Sequence, residues 1–198
     1  MANIFQQLQI GAFRAGITPR TKESQRWFRS KIKSLAIPSN MRLMQQEPLE
    51  LRNRQGIGNM YMYVYDAKHK ETLPYFDRFP LTIVVGPAKG GFMGINLHYL
   101  PPMLRAKFLD GLMDVTNNKK FDESTRFSVT IRMMEGASKL KYFKPCLKHY
   151  LTRQIRTRLA LVPAPEWEIA AFLPTANFST PTGRQGVERV YSDSRGML

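Results

Sequence analysis

Three short runs between residues 60 and 100 constrain the fold most: MYMYVYD at 60–66, FPLTIVVGP at 79–87 and GGFMGINLHYL at 90–100. Each is rich in β-branched or aromatic residues and has the length of a strand. The GPAKGG segment between the last two carries the glycines of a hairpin turn. Three strands joined by one long and one tight connection predict a small curved antiparallel sheet, of the kind found in a partly open SH3-like barrel. Tyr61, Tyr63 and Tyr65 fall on one face of the first strand, with Met60, Met62 and Val64 on the other. One of these sets must be buried. An outward tyrosine stripe would stack single-stranded bases; the preferred reading is structural.

The period changes on either side of this tract. Residues 22–36 read as a helix, with Thr21 as N-cap, Pro38 as stop, and Phe28, Ile32 and Leu35 on one face. Residues 101–115 read as a second helix opening on prolines, and 122–137 as a third. Leu147, Leu151 and Ile155 have helical spacing, so 144–162 is expected to be helical, turning to a strand at RLALV. Residues 166–174 fit either a strand or a helix. Residues 1–20 are expected as an extended arm with a short helix at 3–10, and 38–58 as a linker. The expected class is α+β: a small curved antiparallel sheet, several helices and extended terminal arms. Its parts are a basic arm and helix at 1–57, a core at 58–174 and an extended tail at 175–198.

Charge narrows the partners. The chain carries 30 Lys and Arg against 15 Asp and Glu, a formal net charge of +15. The excess is segregated: ten bases and three acids at 1–56, ten and eight at 57–135, seven and none at 136–163, three and four at 164–198. Two basic blocks flanking a near-neutral middle suit a polyanionic partner, nucleic acid first, then an acidic protein surface or anionic lipid. Lys22, Arg26, Arg29 and Lys33 form a stripe on the first helix, opposite its apolar face. Such a stripe is either a solvated face or a row of phosphate contacts. Lys139, Lys141, Lys144, Lys148, Arg153 and Arg156 supply the second block.

Catalytic patterns are weak. His69, His98 and His149 are far apart, and no Cys/His pair has zinc-ligand spacing. No cofactor motif is present, and His98, inside a strand, reads as a satisfied structural histidine. The lone Cys146 permits no intrachain disulfide and fits a reducing cytoplasm; lysines nearby would activate its thiol, while burial would make it inert. The segment DAKHKETLPYFDRFP at 66–80 packs Asp66, Lys68, His69, Glu71, Asp77 and Arg78 into one loop. Asp66, Glu71 and Asp77 beside Lys68 would suit a metal-dependent nuclease. The same opposite charges can pair with one another, and the preferred reading of Asp66, His69, Asp77 and Arg78 is a rigid structural or docking loop. No run of about 18 apolar residues spans a membrane, and the first residues lack a secretory-signal pattern.

Residues Tyr65–Pro80 match the pattern Tyr-Asp-x-Lys-His-Lys-x-Thr-Leu-Pro-Tyr-x-Asp-x-Phe-Pro, and Gly91–Leu100 match Gly-Phe-x-Gly-x-Asn-x-His-Tyr-Leu. With RWFRSKIK, FKPCLKHYLT and APEWEIAAFLP, the chain resembles a virion-protein family of T-even-like contractile-tailed bacteriophages, often described as DNA end protectors. The similarity covers most of 24–174. It implies a non-enzymatic virion component, assembled in the bacterial host cytoplasm, that contacts double-stranded DNA and other virion proteins, with no catalytic residues to carry over. A structural adaptor of the head–tail connector, neck or baseplate is the alternative, and a metal-dependent nuclease the third.

Overall fold

The computed structural model of the chain describes residues 3–45, 49–116, 128–129, 131–134, 136–137 and 143–196. The class is α+β. Strands β1 (Glu50–Arg52), β2 (Met60–Met62), β3 (Phe76–Asp77), β4 (Leu81–Ala88) and β5 (Gly91–Asn96) precede β6 (Leu147–Leu151) and β7 (Leu159–Val162). The expected meander is there, since β2, β4 and β5 are antiparallel neighbours. The sheet is larger than that meander: six strands in the order β1-β7-β2-β4-β5-β6. β1 and β6 are its two ends, so it is open rather than a closed barrel, and these pairings do not establish an SH3-like arrangement.

The strand expected at RLALV is there, but the residues before it, from 144, are not the helix that their spacing suggested. A 3-10 turn at Lys144–Cys146 leads into β6, a second at Thr152–Gln154 follows, and β7 closes the segment. The cause is tertiary. β5 offers a free edge to pair with, and a Cβ on Gly91 would lie 1.8 Å from the Tyr150 carbonyl oxygen. Glycine at that position lets β6 approach and complete its ladder. The hairpin between β4 and β5 turns at Gly90, whose φ of 75° suits glycine.

Both sets of side chains on β2 are buried. Met60 and Met62 join Leu81, Ile83, Ile95, Ala160 and Val162 in the main core. Tyr61, Tyr63 and Tyr65 join Phe92, Tyr150 and Leu159 in a second cluster on the opposite face, covered in part by Ala67 and Phe76. Tyr150 meets Tyr63 and Tyr65 edge-to-face at 5.6 and 4.9 Å, each pair worth about 0.5–1.5 kcal/mol beyond its burial.

Helices α1 (Ile4–Arg14), α2 (Lys22–Ser34), α3 (Asn40–Met44), α4 (Pro102–Thr116) and α5 (Trp167–Phe172) contribute to the main core. The expected N-terminal arm is therefore largely the helix α1. Asn3 and Gln6 form a reciprocal capping box, and Ile4, Phe5, Leu8 and Ala12 point inward. Exposed Ile10 and Phe13 blur its period in the sequence. α2 begins as expected at Thr21, which caps the Ser24 amide, and buries Phe28 and Ile32. Of the helix expected at 122–137, the described residues are helical and Met134 is buried; the rest lies outside the described residues.

The expected extended tail is also folded. β8 (Phe178–Thr180) pairs with β3 and with β9 (Gly183–Gln185), forming a second, three-stranded sheet. Phe178 is buried edge-to-face against Tyr99 at 5.0 Å. Helix α6 (Val187–Gly196) then buries Val190 and Tyr191. Arg105 fastens this end internally: its guanidinium donates to the Leu100 carbonyl at 2.7 Å, the Ala171 carbonyl at 3.2 Å and the Tyr191 hydroxyl at 2.8 Å. Among the described residues, no helix is long and apolar enough to cross a membrane.

Candidate nucleic-acid interface

The acid-rich loop at 66–80 divides into two kinds of residue. Asp66 is partly exposed and accepts from Lys70 at 3.0 Å and from Arg156 at 2.9 Å. These bonds, Lys70's first, hold its carboxyl below the usual carboxylate range. Asp77 is buried and pairs across the fold rather than within the loop. Its Oδ2 accepts from Asn96 at 3.0 Å and lies 2.6 Å from His98 Nδ1; its Oδ1 accepts from the amides of Phe79 and Asn177 at 3.0 and 3.2 Å. His98 Nε2 lies 3.0 Å from the Thr175 hydroxyl. A neutral ring donating from Nδ1 to Asp77 and accepting at Nε2 satisfies every partner. Burial would raise the Asp77 carboxyl, but His98 and the other donors outweigh it and hold it below its usual range. Burial is the chief cause lowering His98.

His69, Lys68, Glu71 and Arg78 are exposed. The Arg78 backbone is nonetheless held at both ends, its amide on the Asn177 carbonyl at 2.8 Å and its carbonyl on the Tyr65 amide at 2.9 Å. Among the described residues, no group of three His, Cys, Asp or Glu side chains could hold a metal ion. Cys146 is fully buried, and burial pushes its thiol up to about 12.

The predicted basic residues are distributed over several elements. Lys22, Arg26, Arg29 and Lys33 all lie exposed along α2, which packs on α1 and α5. Lys139 and Lys141 lie outside the described residues. Lys144 is exposed in its 3-10 turn, Arg153 in the next, and Arg156 just beyond. Lys148 is only partly exposed, on β6, with its ammonium 4.1 Å from the centre of the Tyr99 ring.

The ends of the two basic blocks meet where β1 pairs with β7. Arg52 stands opposite Leu159 in that ladder, and a groove of about 330 Å³ opens there, lined by Arg52, Arg156 and Arg158 with Asn53, Gln55 and Thr152. Arg52 pairs with Glu50, and Arg156 with Asp66. Arg158 is held by neutral acceptors, the Asn53 side chain at 3.1 Å and the Leu51 carbonyl at 2.7 Å, so its charge stays available. Exposed Arg54 and Arg153 flank the groove in sequence. Arg52 and Arg158 were not among the predicted contacts; each lay inside a basic block, but only the β1–β7 register brings them together.

A cavity of about 490 Å³ has Tyr65, Tyr75, Phe76, Tyr99 and Tyr150 among its walls. Lys68, His69, Lys148 and His149 also line it. A β-bridge links the two openings, since Tyr65 lines the cavity and bridges to Ile155, which lines the groove, and Leu151 of the cavity is followed in sequence by Thr152 of the groove.

Comparison with known proteins places the chain in a family. The profile described as phage T4 terminal DNA protecting protein matches residues 1–194. The chain belongs to that family. The match runs from α1 into α6 and so takes in every helix and strand described above. No curated protein and no solved structure gives a match.

Proposed function

We propose that the protein is a non-enzymatic virion component that binds and shields the ends of packaged double-stranded DNA. Its hold is on the sugar–phosphate backbone. The observation that carries this reading is the groove of Arg52, Arg156 and Arg158, built by a strand pairing that joins the two basic blocks. Backbone contacts position a protein on a duplex without reading its sequence, as a guard at an arbitrary end requires. Exposed arginine–carboxylate pairs contribute only about 0–1 kcal/mol, so phosphates can displace Glu50 and Asp66. The α2 stripe, Lys22, Arg26, Arg29 and Lys33, and exposed Lys144 and Arg153 extend the positive surface.

The test is protection of linear DNA from a processive exonuclease. Wild type should shield ends, and its affinity should fall steeply as salt rises. Arg158→Ala and Arg52→Ala should each weaken binding for every sequence and lower the salt slope by about one, with thermal stability nearly unchanged. Equal binding to circular and linear DNA without protection would remove end-shielding from the reading.

A second role, as an adaptor among other virion proteins at the connector, neck or baseplate, draws on α1. Phe13 is 84 % exposed there, beside partly exposed Ile10. An adaptor role without DNA contact predicts symmetric copies in the particle and no DNA affinity for the isolated protein.

A further inference from the structure

The aromatic cavity beside the groove has a composition that the backbone grip does not use. Its walls are rings, a surface that suits a planar aromatic ligand. Its charged lining has two lysines, Lys68 and Lys148, against one carboxylate, with the imidazoles of His69 and His149 beside them. The carboxylate it includes, Asp77, has both oxygens committed to His98, Asn96 and two backbone amides. Lys148 rests on a ring face rather than against a carboxylate, and burial depresses its basicity. An anion placed there would reverse that. A ring bearing a phosphate meets both requirements.

We propose that this cavity takes the terminal nucleotide of a DNA strand whose backbone lies in the arginine groove, with the base against the tyrosines and its phosphate near Lys148. The proposal rests on the reading of the chain as a DNA-end binder. The Tyr65–Ile155 bridge supplies the continuity, because it separates cavity from groove by one pair of residues. The end selects itself. An internal base must leave two stacking neighbours to enter such a cavity, whereas a terminal base has only one to leave. Capping that nucleotide also withholds the group an exonuclease must seize first.

The experiment is photocrosslinking of the full chain to a duplex carrying 5-iodo-2′-deoxyuridine, either as the terminal residue or mid-duplex. Terminal label should crosslink to peptides from 65–77 or 147–151, and mid-duplex label should not. Crosslinks confined to 50–55 and 156–159, or equal cavity crosslinking from both positions, would overturn the proposal. Free 5-iodo-2′-deoxyuridine monophosphate at the same concentration should crosslink at least tenfold less, lacking the groove's hold. Equal yield from the free nucleotide would reassign the cavity to mononucleotides and also overturn it. Lys148→Met should cut the terminal crosslink at least tenfold while leaving the affinity for circular DNA intact. Because Lys148 is partly buried, Lys68→Glu at the exposed rim provides the same test without a risk to folding; an unchanged terminal crosslink in that variant counts against the cavity. A protein that shields ends but crosslinks only in the groove retains its proposed function and loses this inference. A protein that neither binds nor shields DNA loses the proposed function itself.

Discussion

Asp77 Oδ2 and His98 Nδ1 lie 2.6 Å apart in the interior, joining the end of the acid-rich loop to the turn that follows β5. Asp77→Ala strands His98, Asn96 and the amides of Phe79 and Asn177 together. Each buried donor left without its acceptor in this way costs about 1–3 kcal/mol. Urea denaturation should show a loss of unfolding free energy of at least that size. The salt dependence of DNA binding by the folded fraction should not change, since Asp77 offers nothing to a phosphate.

The same pair makes the fold acid-sensitive. His98 is held below its ordinary value in the folded chain, chiefly by burial, so the unfolded chain takes up a proton near pH 6.5 that the folded chain refuses. Where the unfolded state binds more protons, stability falls with acidification. This part of the stability is present above about pH 6.5 and is lost as pH drops towards the folded value. Asp77, also lowered, adds a second loss below about pH 3.9. His98→Gln, though less stable, should show a shallower fall in denaturation midpoint between pH 7.5 and pH 5.5, the experimental limits. An unchanged slope would remove His98 as the cause.

Arg105 holds the C-terminal helix from inside. Arg105→Met leaves the Leu100 and Ala171 carbonyls and the Tyr191 hydroxyl without this donor, at about 1–3 kcal/mol for each group left unsatisfied. Limited proteolysis should then cut within α6 much faster than in wild type. Tyr191→Phe removes one acceptor from the buried guanidinium and should cost about 1.5–3 kcal/mol.

Cys146 should be silent. Its thiol is buried and pushed up to about 12, so the thiolate that reacts is scarce at neutral pH. A disulfide reagent at pH 8, an experimental choice, should titrate no thiol in the native protein and one per chain in urea. Prompt native reaction would mean that solvent reaches the turn before β6.

What the sequence made legible was local. The Thr21 cap, the β2–β4–β5 meander and the β4–β5 turn each depend on neighbours or on a short repeat. The features that escaped depend on a distant partner. Leu147, Leu151 and Ile155 carry a helical spacing, yet the edge of β5 and the space at Gly91 draw that segment into a strand. Phe178 gives no sign in the sequence that Tyr99 awaits it. The α2 stripe could be read as a stripe, because helical spacing alone defines it. The groove could not, because Arg52 and Arg158 become neighbours only through the β1–β7 register.

That register has a consequence in time. Glu50–Arg52 must wait for Leu159–Val162 before they have a partner. Contacts this distant form late, after the entropy of closing the intervening loop has been met. A chain still being synthesised therefore carries much of its positive charge with no groove in which to place it. The groove arrives as a property of the finished protein, and a fragment ending before residue 159 would keep Arg52 without the strand it pairs with.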